Sequence, residues 1–184
     1  NSAGAHEALK VYLDGLHRDS REHSEQTLRG GKQTLEPLFD GGDELIAALR
    51  RRIEQAVQAY IGRMDEGGGD PLSARRAEGF RFTGSWSSRL RDRGFHTNHI
   101  HPMGWISSCY YVAVPPEAED AQARQGWIKF GEPSFVTNLR QPIRRTIKPV
   151  PGRLVLFPSY MWHGPVPFHS PTARTTIAFD AIPG

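Results

Sequence analysis

The sequence contains only one cysteine, Cys109, in 184 residues. A lone cysteine excludes an internal disulfide framework, and this is typical of proteins from reducing compartments. We therefore expect a cytoplasmic location. Cys109 lies within an apolar run, which favours a buried, inert thiol over a reactive nucleophile.

Long apolar segments and a strong excess of one charge are also missing. No stretch reaches the roughly 18 consecutive apolar residues that a membrane-spanning helix requires, so no membrane partner is expected. The formal net charge is only +3, from 23 Lys and Arg against 20 Asp and Glu. Because the arginine clusters are dispersed along the chain, this balance gives no argument for a nucleic-acid partner.

Residues 1–64 contain two segments with the spacing of amphipathic helices. The carboxylate of Asp40 or Asp43 can cap the second helix. The polar, glycine-containing residues 27–34 predict a loop between the helices, and the glycine- and proline-rich residues 65–79 predict a longer one after them. The apolar positions of the two helices are Ala5, Ala8, Leu9, Tyr12, Leu13 and Leu16, then Leu45, Ile46, Leu49, Ile53, Val57, Tyr60, Ile61 and Met64.

Short strands rich in Val, Ile, Phe, Tyr and Trp replace the helical pattern from Phe80 onward. Together with 19 Gly and 14 Pro, they predict a mainly β fold with N-terminal helices, a β-sandwich or jelly roll with the helices packed on one outer face. We expect one domain over residues 1–184, with residues 1–64 as helical support and residues 80–181 as the β core. The predicted strands are residues 80–83, 85–90, 105–114, 126–130, 153–157 and 174–181.

Three histidines, His96, His99 and His101, occur close together after the second predicted strand. Residues two apart on an extended strand face the same side, so His99 and His101 can bind one ion, whereas His96 has the opposite parity. A third ligand is expected from a distant strand, and His163 follows the most hydrophobic strand of the sequence. Three imidazoles leave open coordination positions, which is the arrangement of catalytic metal sites.

The last predicted strand carries a candidate anion-binding pair. Arg174, Thr176 and Ala178 share one face of this strand, and Ile177 points to the other. A guanidinium beside a hydroxyl can clamp a carboxylate, and the small Ala178 leaves room for it. Asp180 lies on the same face but about 20 Å along the strand, so it is not expected to neutralise Arg174.

The histidine pair, the distant histidine and the Arg-x-Thr that follows it resemble the signature of 2-oxoglutarate-dependent Fe(II) oxygenases. The sequence is most similar to a bacterial family of "putative 2OG-Fe(II) oxygenases", sometimes attached to tetratricopeptide repeats. The resemblance covers about residues 80–181 and implies a double-stranded β-helix, the jelly roll of that superfamily. The segments that carry it are residues 84–90, 99–102, 105–112, 126–133 and 152–167.

By this resemblance, His99, His101 and His163 hold Fe(II), and Arg174 with Thr176 binds the distal carboxylate of 2-oxoglutarate. Tyr111 is implied as a further cosubstrate contact, although Tyr110 on the same strand fits equally well. The enzyme would use O2 to hydroxylate a C–H bond of a protein or peptide side chain or of a small metabolite.

One position departs from the family pattern. The usual second ligand is a carboxylate, and here it is His101. A three-histidine enzyme that does not use 2-oxoglutarate, such as a cupin-type dioxygenase, is therefore an alternative, supported by the spacing of Gly152, Pro158 and His163. A third hypothesis is a non-catalytic domain that binds a metal or a carboxylate.

Overall fold

The structure is a computed structural model and describes residues 2–19, 28–135 and 141–184. Its two α-helices are α1 (Ser2–Asp19) and α2 (Glu44–Ile61). The carboxylate of Asp43 caps α2 by accepting hydrogen bonds from the backbone N–H groups of Leu45 and Ile46, at 2.9 and 3.2 Å. Both helices therefore form where the apolar spacing predicts them. Within the described ranges, neither is long and apolar enough to cross a membrane.

In the described part of the chain, eight strands form two antiparallel sheets. The large sheet has the order β1-β2-β8-β3-β6, and the small sheet has the order β5-β4-β7. This arrangement confirms the predicted jelly roll with N-terminal helices. The strands are β1 (Leu28–Gln33), β2 (Phe80–His96), β3 (Ile106–Ala113), β4 (Ile128–Phe130), β5 (Arg145–Ile147), β6 (Leu154–Pro158), β7 (His163–Pro165) and β8 (Arg174–Pro183).

The helices cover one face of the large sheet. Their apolar stripes pack on side chains from β3 and β8, and this burial in a shared core is what attaches the helices to the sheet. On β8, Ile177 and Phe179 belong to this core, as their parity predicts. The buried residues of the helical core include Leu9, Leu13, Ile46, Ile53, Val57, Ile106, Ile177 and Phe179.

A second apolar cluster lies between the two sheets. It joins Cys109 and Tyr111 of β3 to Ile128 and Phe130 of β4 and to Phe157 of β6. Cys109 is buried, and burial raises the pKa of its thiol, as expected for an inert cysteine. Two of its members, Cys109 and Ile128, line the cavity described below.

Three features of the strands differ from the sequence prediction. Residues 28–33 are not a loop but the edge strand β1, and Thr27 lies outside the described residues. The pairing of β1 with β2 shifts between Arg29 and Gly31, where Gly30 has a φ of +64°, so the glycines that suggested a loop form a bulge. The predicted strands 80–83 and 85–90 are one strand, β2, with a register shift between Phe82 and Gly84. The short strands β5 and β7 were not predicted.

Candidate metal centre

Backbone pairing brings His99, His101 and His163 together. His99 and His163 exchange two N–H···O bonds of 3.0 Å, and the backbone N–H of His101 donates to the carbonyl of Ser159 at 2.9 Å. The segment after β2 is thus extended and antiparallel to the segment around β7. One ligand atom from each histidine lies within 4.8 Å of those of the other two. This arrangement could hold a metal ion.

Hydrogen bonds fix the orientation of all three imidazoles. The Nδ1 atom of His99 lies 2.7 Å from the carbonyl of Thr97, and that of His163 lies 2.9 Å from the carbonyl of Met161. The Nδ1 atom of His101 lies 2.6–2.7 Å from the carboxylate of Asp180. Because these oxygens can only accept, each Nδ1 must donate its proton, which leaves each Nε2 lone pair available for a metal.

The surroundings favour the neutral forms of His99 and His163. Burial lowers the pKa of His99 and takes that of His163 well below 6.5, with the neighbouring histidines adding to the decrease for His163. The ring centroids lie 4.3 Å apart for His99 and His163, 5.0 Å for His99 and His101, and 5.1 Å for His101 and His163. Neutral, preoriented imidazoles are the form that binds a divalent transition metal, so this donor set fits Fe(II).

His96 lies beside this group. Its ring centroid is 5.9 Å from that of His99, and its side chain lines the same cavity. Burial lowers its pKa to about 3. Among the residues described, its ligand atoms do not belong to the group formed by the other three histidines. Its place outside the first coordination sphere remains a prediction.

The cavity that the three histidines line is also lined by Arg174, Thr176 and Ala178. Arg174 is only 4% exposed, and its Nε–H donates to the carbonyl of Gly126 at 3.1 Å. Within the described ranges, its guanidinium forms no ion pair with a carboxylate; one terminal nitrogen instead lies 3.9 Å from the Sγ of Cys109. A buried guanidinium in this position fits an incoming anion.

Tyr111 contributes a second polar group beside Arg174. The guanidinium carbon of Arg174 lies 5.1 Å from the ring centroid of Tyr111. The Tyr111 side chain is fully buried, its hydroxyl has no hydrogen-bond partner within the described part of the chain, and burial raises its pKa. Tyr110, in contrast, packs against the core beneath the helices. Tyr111 is therefore the tyrosine of this strand that could donate to a dicarboxylate such as 2-oxoglutarate.

The sequence indicates Trp86 as a possible pocket residue, whereas the contact of Asp180 with His101 was missed. Asp180 contacts His101, as described above, and the indole of Trp86 stacks on the His101 ring with centroids 5.9 Å apart and planes 20° from parallel. Trp86 pairs with Ala178 of β8, and Asp180 has the same parity on β8 as Arg174, so strand parity is the signal that could have indicated Asp180.

Comparison of the sequence with protein families finds one match. Residues 84–180, more than half of the chain, match the family described as "Putative 2OG-Fe(II) oxygenase". No curated protein matches the chain.

Solved structures with the same fold include enzymes that use 2-oxoglutarate. A prolyl-4-hydroxylase from Pseudomonas putida has a TM-score of 0.60 at 16% identity, over 99% of this chain and 88% of the other. A prolyl hydroxylase from Trichoplax adhaerens, bound to a hypoxia-inducible-factor peptide, has a TM-score of 0.58 at 18% identity, over 95% and 74%. HygX from Streptomyces hygroscopicus, with nickel, 2-oxoglutarate and hygromycin B bound, has a TM-score of 0.56 at 12% identity, over 98% and 78%.

Proposed function

Because the chain belongs to the 2OG-Fe(II) oxygenase family that its residues 84–180 match, we propose that it is a hydroxylase that uses Fe(II), 2-oxoglutarate and O2. In this proposal His99, His101 and His163 hold the iron. Arg174 and Thr176 bind the distal carboxylate of 2-oxoglutarate, and the Tyr111 hydroxyl donates a hydrogen bond to it.

The observation that carries this proposal is the meeting of two kinds of group in one cavity. Three histidines with Nδ1 protonated present their Nε2 atoms, and the buried guanidinium of Arg174 lines the same space. A ligand that bridges them needs a metal-binding end and a carboxylate end. 2-Oxoglutarate has both, because its 2-oxo acid group can chelate a metal while its second carboxylate reaches the arginine.

The residues of the chain act by binding, orienting and excluding water. When bound, iron would supply the oxidative chemistry with O2 as the oxidant: one oxygen atom would enter succinate as 2-oxoglutarate loses CO2, and the other would enter the hydroxylated product. Arg174 sets the orientation of the bound cosubstrate, because its planar guanidinium can offer two parallel N–H groups to one carboxylate. Ile128 on the cavity wall and the rings of Phe130 and Phe157 beside His163 limit access of bulk water.

The three-histidine set also affects the charge of the site. Neutral imidazoles leave the two positive charges of Fe(II) without a direct protein counter-charge. A bound 2-oxoglutarate dianion balances them, so we propose that cosubstrate and metal stabilise each other in the site.

The primary substrate would enter through the outer part of the site. A cavity of about 440 Å³ opens there, lined by residues that include Gln33, Trp86, Ile100 and Met103. This volume suits either a side chain of a protein or peptide, as in the Trichoplax complex, or a small metabolite, comparable to the hygromycin B bound to HygX. We propose hydroxylation of a C–H bond in one of these two classes of substrate.

Two further proposals concern the protein as a whole. We propose that residues 1–184 act as one unit, which is supported by the core that the helices share with the β3 and β8 strands. We also propose a cytoplasmic location, supported by the single buried cysteine.

Turnover of the cosubstrate in the absence of primary substrate tests the proposed function. The purified protein, supplied with Fe(II), 2-oxoglutarate and O2, is expected to release succinate slowly. The His163→Ala variant should release none. Iron-loaded protein that releases no succinate, even with candidate substrates added, would favour the three-histidine enzyme that does not use 2-oxoglutarate.

A further inference from the structure

Asp180 places a carboxylate against one of the proposed metal ligands, His101. Its two carboxylate oxygens lie 2.7 and 2.6 Å from Nδ1 of His101. The hydroxyl of Ser107 donates to the same carboxylate at 2.6 Å. The side chains of His101 and Asp180 are only 16% and 17% exposed, so water weakens this interaction little.

The other two histidines have different partners. His99 and His163 donate from Nδ1 to the neutral backbone carbonyls of Thr97 and Met161. Among the three proposed ligands, His101 is therefore the one whose hydrogen-bond acceptor carries a full negative charge. It is also the ligand at the position where the family pattern has a carboxylate.

We propose that Asp180 is a positioning residue. Its carboxylate compensates for the carboxylate ligand that the family pattern has at the position of His101, and it acts through a hydrogen bond to His101 and not by direct contact with the metal. It fixes the Nδ1–H tautomer of His101 and aims Nε2 at the ion. Its charge makes the imidazole a stronger donor and offsets part of the charge of Fe(II). This inference rests on the proposed function, because it requires His101 to be a ligand.

The surrounding hydrogen bonds hold the pair in place. Ser107 lies opposite Asp180 in the pairing of β3 with β8. The hydroxyl groups of Ser107 and Ser159 are 2.8 Å apart, and the carbonyl of Ser159 accepts the backbone N–H of His101 at 2.9 Å. Asp180 and Ser159 thus fix the side chain and the backbone of His101 from neighbouring positions. Such a constrained acceptor is suited to orient a ligand.

Metal affinity of the Asp180→Asn variant tests the inference without any measurement of activity. Asparagine keeps the size and can accept from Nδ1–H, but it removes the charge. Titration of metal-free protein with Fe(II) under anaerobic conditions, against a chromophoric chelator, should show affinity weakened by about 10- to 100-fold. The matched control is Asp65→Asn, which removes an equivalent charge at an exposed position and should bind as wild type does.

A second pair of variants separates this role from a purely structural one. In a His101→Asp background Asp180 has no Nδ1–H to orient, so adding Asp180→Asn should weaken Fe(II) binding much less than it does in the wild-type background. If Asp180→Asn does not fold in the wild-type background, Ser107→Ala keeps the charge but loosens its support. That variant should weaken Fe(II) binding by about threefold.

The outcomes distinguish the inference from the function on which it rests. Fe(II) affinity unchanged by Asp180→Asn, with binding abolished by His163→Ala, overturns the role of Asp180 and leaves the metal centre standing. An equal loss of affinity in both backgrounds also overturns it, because that result shows that Asp180 does not act through His101. Wild-type protein that binds no Fe(II) rejects the proposed metal centre itself.

Discussion

The guanidinium of Arg174 lies over the ring of Tyr111, with 5.1 Å between the guanidinium carbon and the ring centroid. Both side chains are buried, at 4% and 0% exposure. Asp180, the carboxylate on the same face of β8, is engaged by His101 instead. The expectation that Asp180 would not neutralise Arg174 is thus confirmed. Arg174 lines the cavity and carries the charge opposite to that of a dicarboxylate, and Tyr111 lies beside it.

Replacement of Arg174 should affect the cosubstrate and not the metal. Arg174→Ala is expected to weaken 2-oxoglutarate binding by at least about tenfold, since loss of a charged hydrogen bond typically costs about 1.5–3 kcal/mol. Iron content should be unchanged. Anaerobic titration of 2-oxoglutarate into the Fe(II) protein measures this, with Arg51→Ala on the exposed face of α2 as control. Equal affinity for both variants would remove Arg174 from the binding site.

Tyr111→Phe should stabilise the metal-free protein against unfolding but weaken its binding of 2-oxoglutarate. Removal of a buried hydroxyl that lacks a partner should slightly increase the free energy of unfolding of the metal-free protein. The same change should weaken 2-oxoglutarate binding, by about 0.5–1.5 kcal/mol for a single hydrogen bond. Tyr110→Phe is the matched control, because Tyr110 packs on the helical side and should leave cosubstrate affinity unaltered. Thermal unfolding and ligand titration of the two variants check both signs.

The metal ligands can be tested individually. His99→Ala, His101→Ala and His163→Ala should each abolish stoichiometric iron binding, whereas His96→Ala should retain it. Elemental analysis of the four variants, purified and loaded anaerobically, provides the measurement. Loss of iron from the His96 variant alone would show that the parity assigned to this segment is wrong.

His17, a buried histidine that is not part of the metal centre, should make the stability of the protein depend on pH. Its side chain is buried, with Nε2 2.8 Å from the hydroxyl of Ser87, and burial lowers its pKa from 6.5 to about 4. Below pH 6.5 the unfolded chain takes up a proton that the folded protein does not accept until about pH 4. The free energy of unfolding should therefore decrease as the pH falls through this window, by at most about 1.4 kcal/mol per pH unit for one group.

Chemical denaturation of metal-free protein at several pH values between these limits tests this contribution. His17→Gln can keep a hydrogen bond to Ser87 but does not titrate, so its stability should depend less steeply on pH. Other buried histidines contribute equally to both proteins. Parallel curves for wild type and variant would contradict the assignment to His17.

The features that follow from the periodicity of strands and helices could be predicted from the sequence. The alternation along β8 places Arg174 and Thr176 on the cavity side and Ile177 in the helical core. The histidine spacing likewise predicts that His99 and His101 face the same cavity. Each of these predictions depends on local parity, which the backbone of an extended strand imposes whatever the rest of the fold does.

The features that were missed depend on pairing between distant strands. The contact between Asp180 and His101 requires the register of β8 against β3 and the path of the chain after β2. Periodicity contains no information on either. The choice between Tyr110 and Tyr111 also depended on which face of β3 meets the helices. The strand β1 was missed because its polar and glycine residues pair at a sheet edge, where apolar alternation is not needed.

Anaerobic titration of 2-oxoglutarate into Fe(II)-loaded protein tests the central claim most directly. If the three histidines hold iron and Arg174 holds the cosubstrate, chelation by the 2-oxo acid group should produce a metal-to-ligand charge-transfer band that saturates stoichiometrically. The band should require higher 2-oxoglutarate concentrations in Arg174→Ala and should be absent from His163→Ala. Wild-type protein that is fully loaded with iron and develops no band would contradict the account.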